Sequence, residues 1–345
     1  AITKKGKGYV PAESYPSKFH GISPFCIDNG EPVDKNKGGA SYTQVFASSL
    51  IRIAKKNDKV VAISAAMPYG TGLGAFKKHF PHRFFDVGIA EEHAVTFAAG
   101  MAAEGFRPVV AIYSTFLQRA YDQIIHDVCI NKLPVVFAID RAGINGRDGK
   151  THQGAFDLSF LSHIPNMVVM APKNQWELHM MMEFALSYDG PVAIRYPKGE
   201  TYRGLIENKE PIEYGKSEII HEAKNIAILA VGSMVKTAIS VSELLKEQGL
   251  ETTLVNVRFV SPVDDEMLNN LSKNHSIFIT MEENVRTGGY GQQVSDYLCD
   301  NIIEKIKHIN FSLPNDFIEQ GGVEELYEKL ELDAKSITRR ILKEL

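Results

Sequence analysis

The sequence has few of the features that mark secreted, membrane-spanning and nucleic-acid-binding proteins. Its cysteines are three in 345 residues, Cys26, Cys129 and Cys299, and their wide spacing makes neither a metal knuckle nor a disulfide framework. We therefore expect a reducing, cytoplasmic location. The net charge of −4 argues against a nucleic-acid or polyanion partner. No apolar run reaches the ~18 residues of a membrane span, and no basic-then-apolar leader opens the sequence.

The sequence does contain a regular alternation of apolar strands and amphipathic helices. A chain of 345 residues is long for one domain, so two domains are expected. The strands predicted in the first half are rich in Val, Ile and Ala, at 59–65, 108–113, 134–140, 166–170 and 191–196. Helices are predicted between them, at 43–57, 91–104, 116–131 and 174–188. Near-continuous apolar strands have both faces covered, which predicts a parallel sheet.

A second alternating set predicts a second α/β domain. Its strands are expected at 225–231, 251–257, 276–281 and 307–311, and its helices at 235–248, 289–301 and 322–344. The predicted boundaries are an arm at 1–40, domains at 41–200 and 216–345, and a polar linker at 201–215. The arm is expected to be extended, because it has prolines, glycines and little periodicity. The fold class is therefore α/β, with two doubly wound domains behind an arm.

Polar residues follow the predicted strands of the first domain, where parallel sheets build their sites. Glu91 and Glu92 begin a helix, and carboxylates there are often simple partners of the helix dipole. That interpretation suits Glu92. Glu91 comes directly after a strand end, where the small residues that follow would pack the helix closely and place the carboxylate inside. Phe116 and Arg119 share a helix face, although Phe116 taken alone is typical of a core.

The next strand end and the loop after it carry further polar groups. Arg141 directly follows the strand at 134–140, and an arginine buried there needs an anion, either a neighbouring Asp or a phosphate. Asp148 and His152 lie in a loop that contains four glycines. A lone loop histidine usually faces solvent, but two polar residues in such a loop fit a functional role equally well. The pattern indicates an enzyme.

Several long strings resemble the 1-deoxy-D-xylulose-5-phosphate synthases, thiamine-diphosphate enzymes of the transketolase superfamily. The matching strings are 3–9, 89–96, 113–122, 138–143, 151–157, 195–197, 258–260, 282–284 and 313–314. The resemblance implies a transketolase pyrimidine-binding domain at 41–200 and a transketolase C-terminal domain at 216–345, the latter with a structural role. The family's Gly-Asp-Gly…Asn motif, which grips the diphosphate and Mg²⁺, is not found. The N-terminal domain that carries it is therefore expected to be a second chain or to have been lost, with 1–40 as its tail.

The resemblance also implies roles around the cofactor. Glu91 would hydrogen-bond N1′ of the aminopyrimidine, and Phe116 would stack on that ring. Tyr9 would lie against the cofactor from the arm. His20 and His152 would be proton-transfer or substrate-binding groups near the reacting carbonyls, a task that suits a near-neutral pKa.

A second group of residues would line the acceptor pocket by the same resemblance. Its members are Tyr113, Arg119, Arg141, Asp148 and Lys198. The arginines would bind the phosphate of glyceraldehyde 3-phosphate in bidentate fashion. Lys198 stands where the family often has Arg, and it keeps the charge but loses the planar fork.

The implied reaction condenses pyruvate with D-glyceraldehyde 3-phosphate, with loss of CO₂, to 1-deoxy-D-xylulose 5-phosphate. This is the first step of the non-mevalonate isoprenoid pathway, and it also feeds thiamine and pyridoxal synthesis. The complete enzyme would be a homodimer with thiamine diphosphate, its Mg²⁺ ligands lying in the N-terminal domain. Two alternatives stay open. One is a β-type subunit of a 2-oxoacid dehydrogenase or the rear half of a split transketolase; the other is an inactive assembly module.

Overall fold

The computed structural model describes residues 1–16, 18–19, 24–33, 39–302 and 305–345. The first of its two sheets is built mostly from the first two-thirds of the chain. Its strands are β1 Val60–Ser64, β2 Phe84–Asp86, β3 Arg107–Tyr113, β4 Val136–Asp140, β5 Val168–Met170, β6 Val192–Arg195 and, from much later in the chain, β10 Phe259–Ser261. They lie in the order β2-β1-β3-β4-β6-β5-β10. All neighbours pair in parallel except β10, which is antiparallel to β5. The five predicted strands are confirmed, whereas three-residue β2 is too short to show a periodic pattern.

Helices cover both faces of this sheet. In chain order they are α1 Val10–Ser14, α2 Tyr42–Ala54, α3 Leu73–His79, α4 Glu91–Ala103, α5 Ser114–Leu117, α6 Tyr121–Gln123, α7 Asp157–Ser162 and α8 Gln175–Ser187. Alternate side chains of β3 enter different apolar clusters: Val109 and Ala111 pack with α2, α3 and α8, whereas Val110 and Ile112 pack with α4 and α7. Two-sided burial is the reason that the strands read as continuous apolar runs.

The segment predicted as one helix at 116–131 is instead four short turns of different winding. It runs through α5, a 3₁₀ turn at Gln118–Ala120, α6 and a π-helix at Ile124–Cys129. Irregular winding of this kind often occurs at functional sites. The predicted neighbours remain neighbours, since the guanidinium carbon of Arg119 lies 5.2 Å from the centroid of the Phe116 ring.

The second sheet is mainly parallel and lies in the C-terminal part of the chain. Its strands are β7 Glu218–His221, β8 Asn225–Val231, β9 Thr253–Val257, β11 His275–Val285 and β12 Lys307–Leu313, in the order β12-β11-β8-β9-β7. The helices are α9 Met234–Glu247, α10 Asp265–Ser272, α11 Tyr290–Asn301, α12 Val323–Lys329 and α13 Ala334–Glu344. The single helix predicted at 322–344 is two helices, because Asp333 starts α13 by accepting hydrogen bonds from the backbone of Lys335 and Ser336.

The two α/β units share buried contacts. Apolar residues of both, such as Ile139 of β4 and Val257 of β9, belong to one cluster. A buried network of two cations and two anions also joins them: Lys173 Nζ lies 3.1 Å from Glu177 and 2.6 Å from Glu218, and Arg258 lies within 3.0 Å of both carboxylates. Because each buried charge has partners of opposite sign, the network can remain ionised.

The arm is less extended than predicted, because it contains α1, where Pro11 stands in the first turn. Tyr9 precedes this helix, and its ring packs 5.5 Å from Phe19 and 5.8 Å from Phe25. Its hydroxyl donates to the carbonyl of Ile27 at 2.8 Å. Among the described helices, none is long and apolar enough to cross a membrane.

Candidate active site

The candidate site begins with a buried carboxylate at the start of α4. Glu91 is the first residue of that helix and is 3% exposed, whereas Glu92 is exposed. Ala94 and Ala98 pack α4 directly onto the sheet, so the first turn lies close to the strand ends. The partial positive charge of the helix N-terminus stabilises the carboxylate. Arg119 provides the neighbouring full charge, with its NH1 atom 3.5 Å from Glu91 Oε1.

An aromatic surface lies beside this pair. Phe116 stacks on Tyr113 with ring centroids 5.4 Å apart and planes at 22°. The ring of His152 meets Phe116 edge-on at 5.3 Å, and the Arg119 guanidinium lies over the same ring. Phe116 is half-buried, so it is not the closed core residue that its type alone would indicate. The arrangement offers a flat ring next to a carboxylate.

Tyr113 also contacts a second group, which surrounds Arg141. The NH1 atom of Arg141 lies 2.9 Å from Asp140 Oδ1 and donates to the carbonyl of Gly70 at 2.8 Å. Its guanidinium carbon is 4.2 Å from the Tyr113 ring centroid. Thr43 completes the group by donating to Asp140 Oδ2 at 2.8 Å. Of the two anions that the sequence allowed for Arg141, the structure supplies the neighbouring aspartate.

Burial dominates the electrostatics of this second group. It raises the pKa of Asp140, and the Arg141 charge and the Thr43 hydroxyl oppose that effect. Burial also raises the pKa of Tyr113 to about 12, against the lowering effect of Arg141. Tyr113 therefore stays a neutral donor at physiological pH.

An open cavity of about 1210 Å³ lies against Tyr113 and Arg141. Tyr69, Lys198 and Lys5 of the arm also line it. Lys198 forms an ion pair with Asp148 at 2.5 Å, on the loop that carries His152. The cations suit an anionic ligand, and part of the Lys198 charge is balanced by Asp148.

The structure brings most of the predicted site residues together. Glu91, Arg119, Phe116, Tyr113, Arg141 and His152 form a continuous series of contacts. Asp148 and Lys198 are paired at its rim. Tyr9 is not part of this series, because its ring packs among arm residues and its hydroxyl is bonded to the arm backbone. His20 lies outside the described residues.

Two contributors escaped sequence reasoning. Thr43, in the first turn of α2, donates to Asp140, and the sequence around it gave no sign of that contact. Gly70 is needed because a Cβ atom there would lie 2.2 Å from the Tyr113 hydroxyl. The glycines at 70 and 72, directly after a strand and a short loop, are the signal that could have pointed to this close approach.

Two transketolase families match almost the whole of the two α/β units. The family described as "Transketolase, pyrimidine binding domain" matches residues 39–203, and "Transketolase, C-terminal domain" matches residues 215–337. A 1-deoxy-D-xylulose-5-phosphate synthase of Lachnoclostridium phytofermentans is 60% identical over 343 residues, 99% of this chain and 55% of that relative. The chain belongs to the 1-deoxy-D-xylulose-5-phosphate synthase family of the transketolase superfamily. The predicted two-domain α/β fold is confirmed with it.

Other relatives agree on the family and on the extent of the match. 1-Deoxy-D-xylulose-5-phosphate synthase 1 of Geobacter sulfurreducens is 50% identical over 97% of this chain and 53% of its own length. The chain thus spans about half the length of the curated relatives that it matches. The chain is also similar to a solved structure described as a split gene transketolase, inactive β4 tetramer, at TM-score 0.81 and 27% identity. That match covers 88% of this chain and 98% of the other. A transketolase of Campylobacter jejuni, at TM-score 0.72 and 18% identity over 90% of this chain and 48% of its own, shows the same fold.

Proposed function

We propose that this chain is the pyrimidine-binding and C-terminal part of a thiamine-diphosphate-dependent 1-deoxy-D-xylulose-5-phosphate synthase. The complete enzyme would join pyruvate to D-glyceraldehyde 3-phosphate with release of CO₂, as a cytoplasmic homodimer. The observation that carries the proposal is the buried carboxylate of Glu91, which Arg119 links to the half-buried ring of Phe116. The relatives' names give the product, 1-deoxy-D-xylulose 5-phosphate, and the position of Glu91 supports the place that we propose for the cofactor ring.

The donor set fits the aminopyrimidine half of the cofactor. Among the described residues, Glu91 pairs with Arg119 at 3.5 Å, so the carboxylate keeps acceptor capacity for a ring N–H. Phe116 offers a flat apolar surface next to it. Across the residues that the structure describes, no group of three or more His, Cys, Asp or Glu side chains could hold a metal ion. The expectation that the Mg²⁺ ligands come from another domain stays a prediction.

When bound, the cofactor would supply a carbon nucleophile that adds to the 2-oxoacid and a cationic ring that takes up the electrons left by the loss of CO₂. In our proposal Glu91 holds a proton between its Oε atom and the ring nitrogen N1′. Low dielectric around the buried carboxylate strengthens that hydrogen bond. Arg119, 3.5 Å from Glu91, supplies the neighbouring positive charge. In the same proposal His152, whose ring meets Phe116 edge-on, exchanges a proton with the reacting oxygen.

The cavity beside Arg141 and Lys198 is the proposed acceptor site. Its cations favour the phosphate of glyceraldehyde 3-phosphate, and Tyr113, neutral with a pKa of about 12, can donate to a sugar hydroxyl. The NH1 atom of Arg141 makes the contacts recorded with Asp140, Gly70 and Thr43. The other guanidinium nitrogens would therefore be the ones that face the acceptor.

The experiment that tests the proposal follows proton exchange at C2 of the cofactor. The chain is assembled with a polypeptide that supplies the diphosphate-binding part, and exchange into D₂O is measured by NMR. Glu91→Gln should slow exchange by about 10²-fold or more, as expected for loss of a general acid–base contribution. Glu92→Gln, which changes the adjacent exposed carboxylate, is the matched control and should leave the rate nearly unchanged. Exchange at the unmutated rate in Glu91→Gln would exclude the assignment.

The rear half of a split transketolase is the second candidate, and one observation favours it. The split gene transketolase chain matches this one over 98% of its own length, whereas the synthase relatives are about twice as long. The choice of donor and acceptor separates the candidates. Pyruvate as donor with glyceraldehyde 3-phosphate as acceptor indicates the synthase, and a ketose as donor indicates a transketolase. Lipoamide as acceptor indicates a 2-oxoacid dehydrogenase subunit. Failure of every donor in the assembled complex would favour an inactive assembly module.

A further inference from the structure

The C-terminal domain reaches the loop that carries His152 through one buried side chain. Glu283 of β11 is 2% exposed. Its Oε1 accepts a hydrogen bond from the backbone N–H of Ile144 at 3.0 Å, and its Oε2 accepts one from the hydroxyl of Ser233. The carboxylate therefore bridges the start of α9 and the first turn of the loop after β4.

The glycines of this loop make that approach possible. A Cβ atom on Gly143, which has φ +75°, would lie 2.6 Å from Glu283 Oε1. A Cβ atom on Gly146, which has φ +77°, would lie 3.0 Å from the carbonyl oxygen of Gly321. At these two positions of the loop, close packing against the C-terminal domain therefore requires glycine.

A second set of contacts holds the far side of the loop. Gln153 is 3% exposed, and its side chain donates to the carbonyl of Glu319 at 3.1 Å while accepting from the backbone of Asn145 at 2.6 Å. The N–H of Gly321 donates to the carbonyl of Gly146 at 3.3 Å. Together with Glu283, these bonds attach the loop at both ends to one domain.

The base of the loop is anchored to the same strand. Arg195 pairs with Asp157 through two hydrogen bonds of 2.9 and 3.1 Å, and its NH2 atom donates to the carbonyl of Glu283 at 3.0 Å. The N–H of Val285 donates to the carbonyl of Ala155 at 2.9 Å. All three residues of the ion-pair contact are buried, so buried polar contacts join β11 to the base of the loop.

The contacts continue from Glu283 to the face of the candidate site. The Asn145 side chain, next to Ile144, donates to the backbone carbonyl of His152. The His152 ring then meets Phe116 edge-on at 5.3 Å. The place of the imidazole is consequently set by a chain of bonds that starts in the C-terminal domain.

We propose that Glu283 is a positioning residue that holds the His152 imidazole against Phe116. The C-terminal domain would then contribute to the site through the loop backbone without touching a ligand. The proposal rests on the proposed function only for the role of His152 in proton exchange. The position of its ring can be measured without cofactor or substrate.

The test uses the chain by itself. Glu283→Ala removes the acceptor for the Ile144 N–H, whereas Glu283→Gln keeps an oxygen for that bond and an amide N–H for Ser233. We expect amide exchange of the loop at 143–154 to become about 10- to 100-fold faster in Glu283→Ala, because the Ile144 N–H and the Ser233 hydroxyl both lose their buried acceptor. The NMR shift that Phe116 induces on the His152 ring should also shrink. Both signals should recover in Glu283→Gln, and exposed Glu324→Ala should change neither.

The inference and the proposed function fail on different experimental outcomes. Unchanged loop exchange and an unchanged His152 shift in a folded Glu283→Ala chain would overturn the inference. Should that variant not fold, Gln153→Ala removes the second attachment and must move the same two signals. In the assembled enzyme, adding Glu283→Ala to His152→Ala should lower kcat by less than about twofold, because both act through one group. A complex without synthase activity but with the expected NMR changes would reject the function and keep the inference.

Discussion

At the scale of single residues, two arginines with the same predicted role have different surroundings. The Arg141 guanidinium is 15% exposed and pairs with Asp140, whose side chain is fully buried. The Arg119 side chain is 52% exposed beside Glu91. Removal of one partner from a buried pair leaves an uncompensated charge. The Arg119–Glu91 pair is longer, at 3.5 Å, and water reaches its half-exposed arginine, so it contributes less to stability.

We therefore predict that Arg141→Ala lowers the free energy of unfolding by about 3 kcal/mol, and Arg119→Ala by less than about 1 kcal/mol. Chemical denaturation of the chain measures both. Equal losses of unfolding free energy in the two variants would show that the Arg141–Asp140 pair is not buried.

A separate prediction concerns acceptor binding by Arg119. In the assembled enzyme Arg119→Ala should raise KM for glyceraldehyde 3-phosphate by about tenfold or more, because a charge-assisted contact is lost. Arg119→Lys should recover only part of the lost affinity, since the ammonium lacks the planar fork of the guanidinium. KM for pyruvate is the internal control. An equal rise for both substrates would assign Arg119 to the support of Glu91 alone.

At the scale of elements, the side chain of Tyr113 limits which residue can stand at position 70, in the loop after β1. A Cβ atom at Gly70 would meet the Tyr113 hydroxyl at 2.2 Å, whereas a Cβ atom at Gly100, inside α4, would meet no atom within 4 Å. The same glycine-to-alanine change should therefore have opposite effects at the two positions.

We predict that Gly70→Ala destabilises the chain by about 1–3 kcal/mol, as overpacking does, and displaces Tyr113 from its stack on Phe116. Gly100→Ala should stabilise the chain by about 0.5–1 kcal/mol, because alanine favours a helix interior. Denaturation midpoints measure the free energies, and tyrosine NMR signals report the displacement. A neutral Gly70→Ala would mean that the loop moves at no cost.

At the scale of the whole molecule, one buried acid links stability to pH. Burial raises the pKa of Glu282 from 4.5 to about 7, against the backbone N–H groups of Gly291 and Tyr290, which lower it. The folded chain therefore holds a proton there that the unfolded chain releases. The stability from this proton is present below pH 4.5 and is lost as the pH rises through about 7.

We predict that the free energy of unfolding of the unmutated chain falls by up to about 3 kcal/mol more than that of Glu282→Gln between about pH 5 and about pH 8. The neutral amide imitates the protonated acid over the whole range. Denaturation at both pH values measures the difference, with exposed Glu324→Gln as control. Parallel pH dependences in all three chains would contradict a raised pKa.

Cofactor binding is also a property of the whole assembly. Nearly half of the length of the Lachnoclostridium relative lies outside the match, and the diphosphate ligands are expected there. We predict weak or no binding of thiamine diphosphate to this chain alone by calorimetry. Addition of the diphosphate-binding part should restore binding and raise the melting temperature by mass action. Micromolar, Mg²⁺-dependent binding without a partner would reveal a diphosphate site within these residues.

The sequence by itself determined the positions of the longer apolar strands, the α/β class and the burial of Glu91. These follow from local rules: apolar runs of strand length, helical periodicity, and small residues after Glu91 that pack α4 against the sheet. The strings around Glu91 and His152 were enough to indicate the family. Each of these signals lies within a short stretch of chain, so no distant contact was needed to read it.

Only the tertiary structure decided the partners of those groups. Arg141 needed an anion, and its pairing with Asp140 depended on Thr43 and Gly70 from other elements. Strand β10 joined the first sheet although its sequence belongs with the second. The loop glycines at 143 and 146 acquired their meaning from Glu283 and the segment around 321, more than a hundred residues away. Contacts between residues so far apart in sequence leave no periodic or local signal, because they depend on how the folded units pack together.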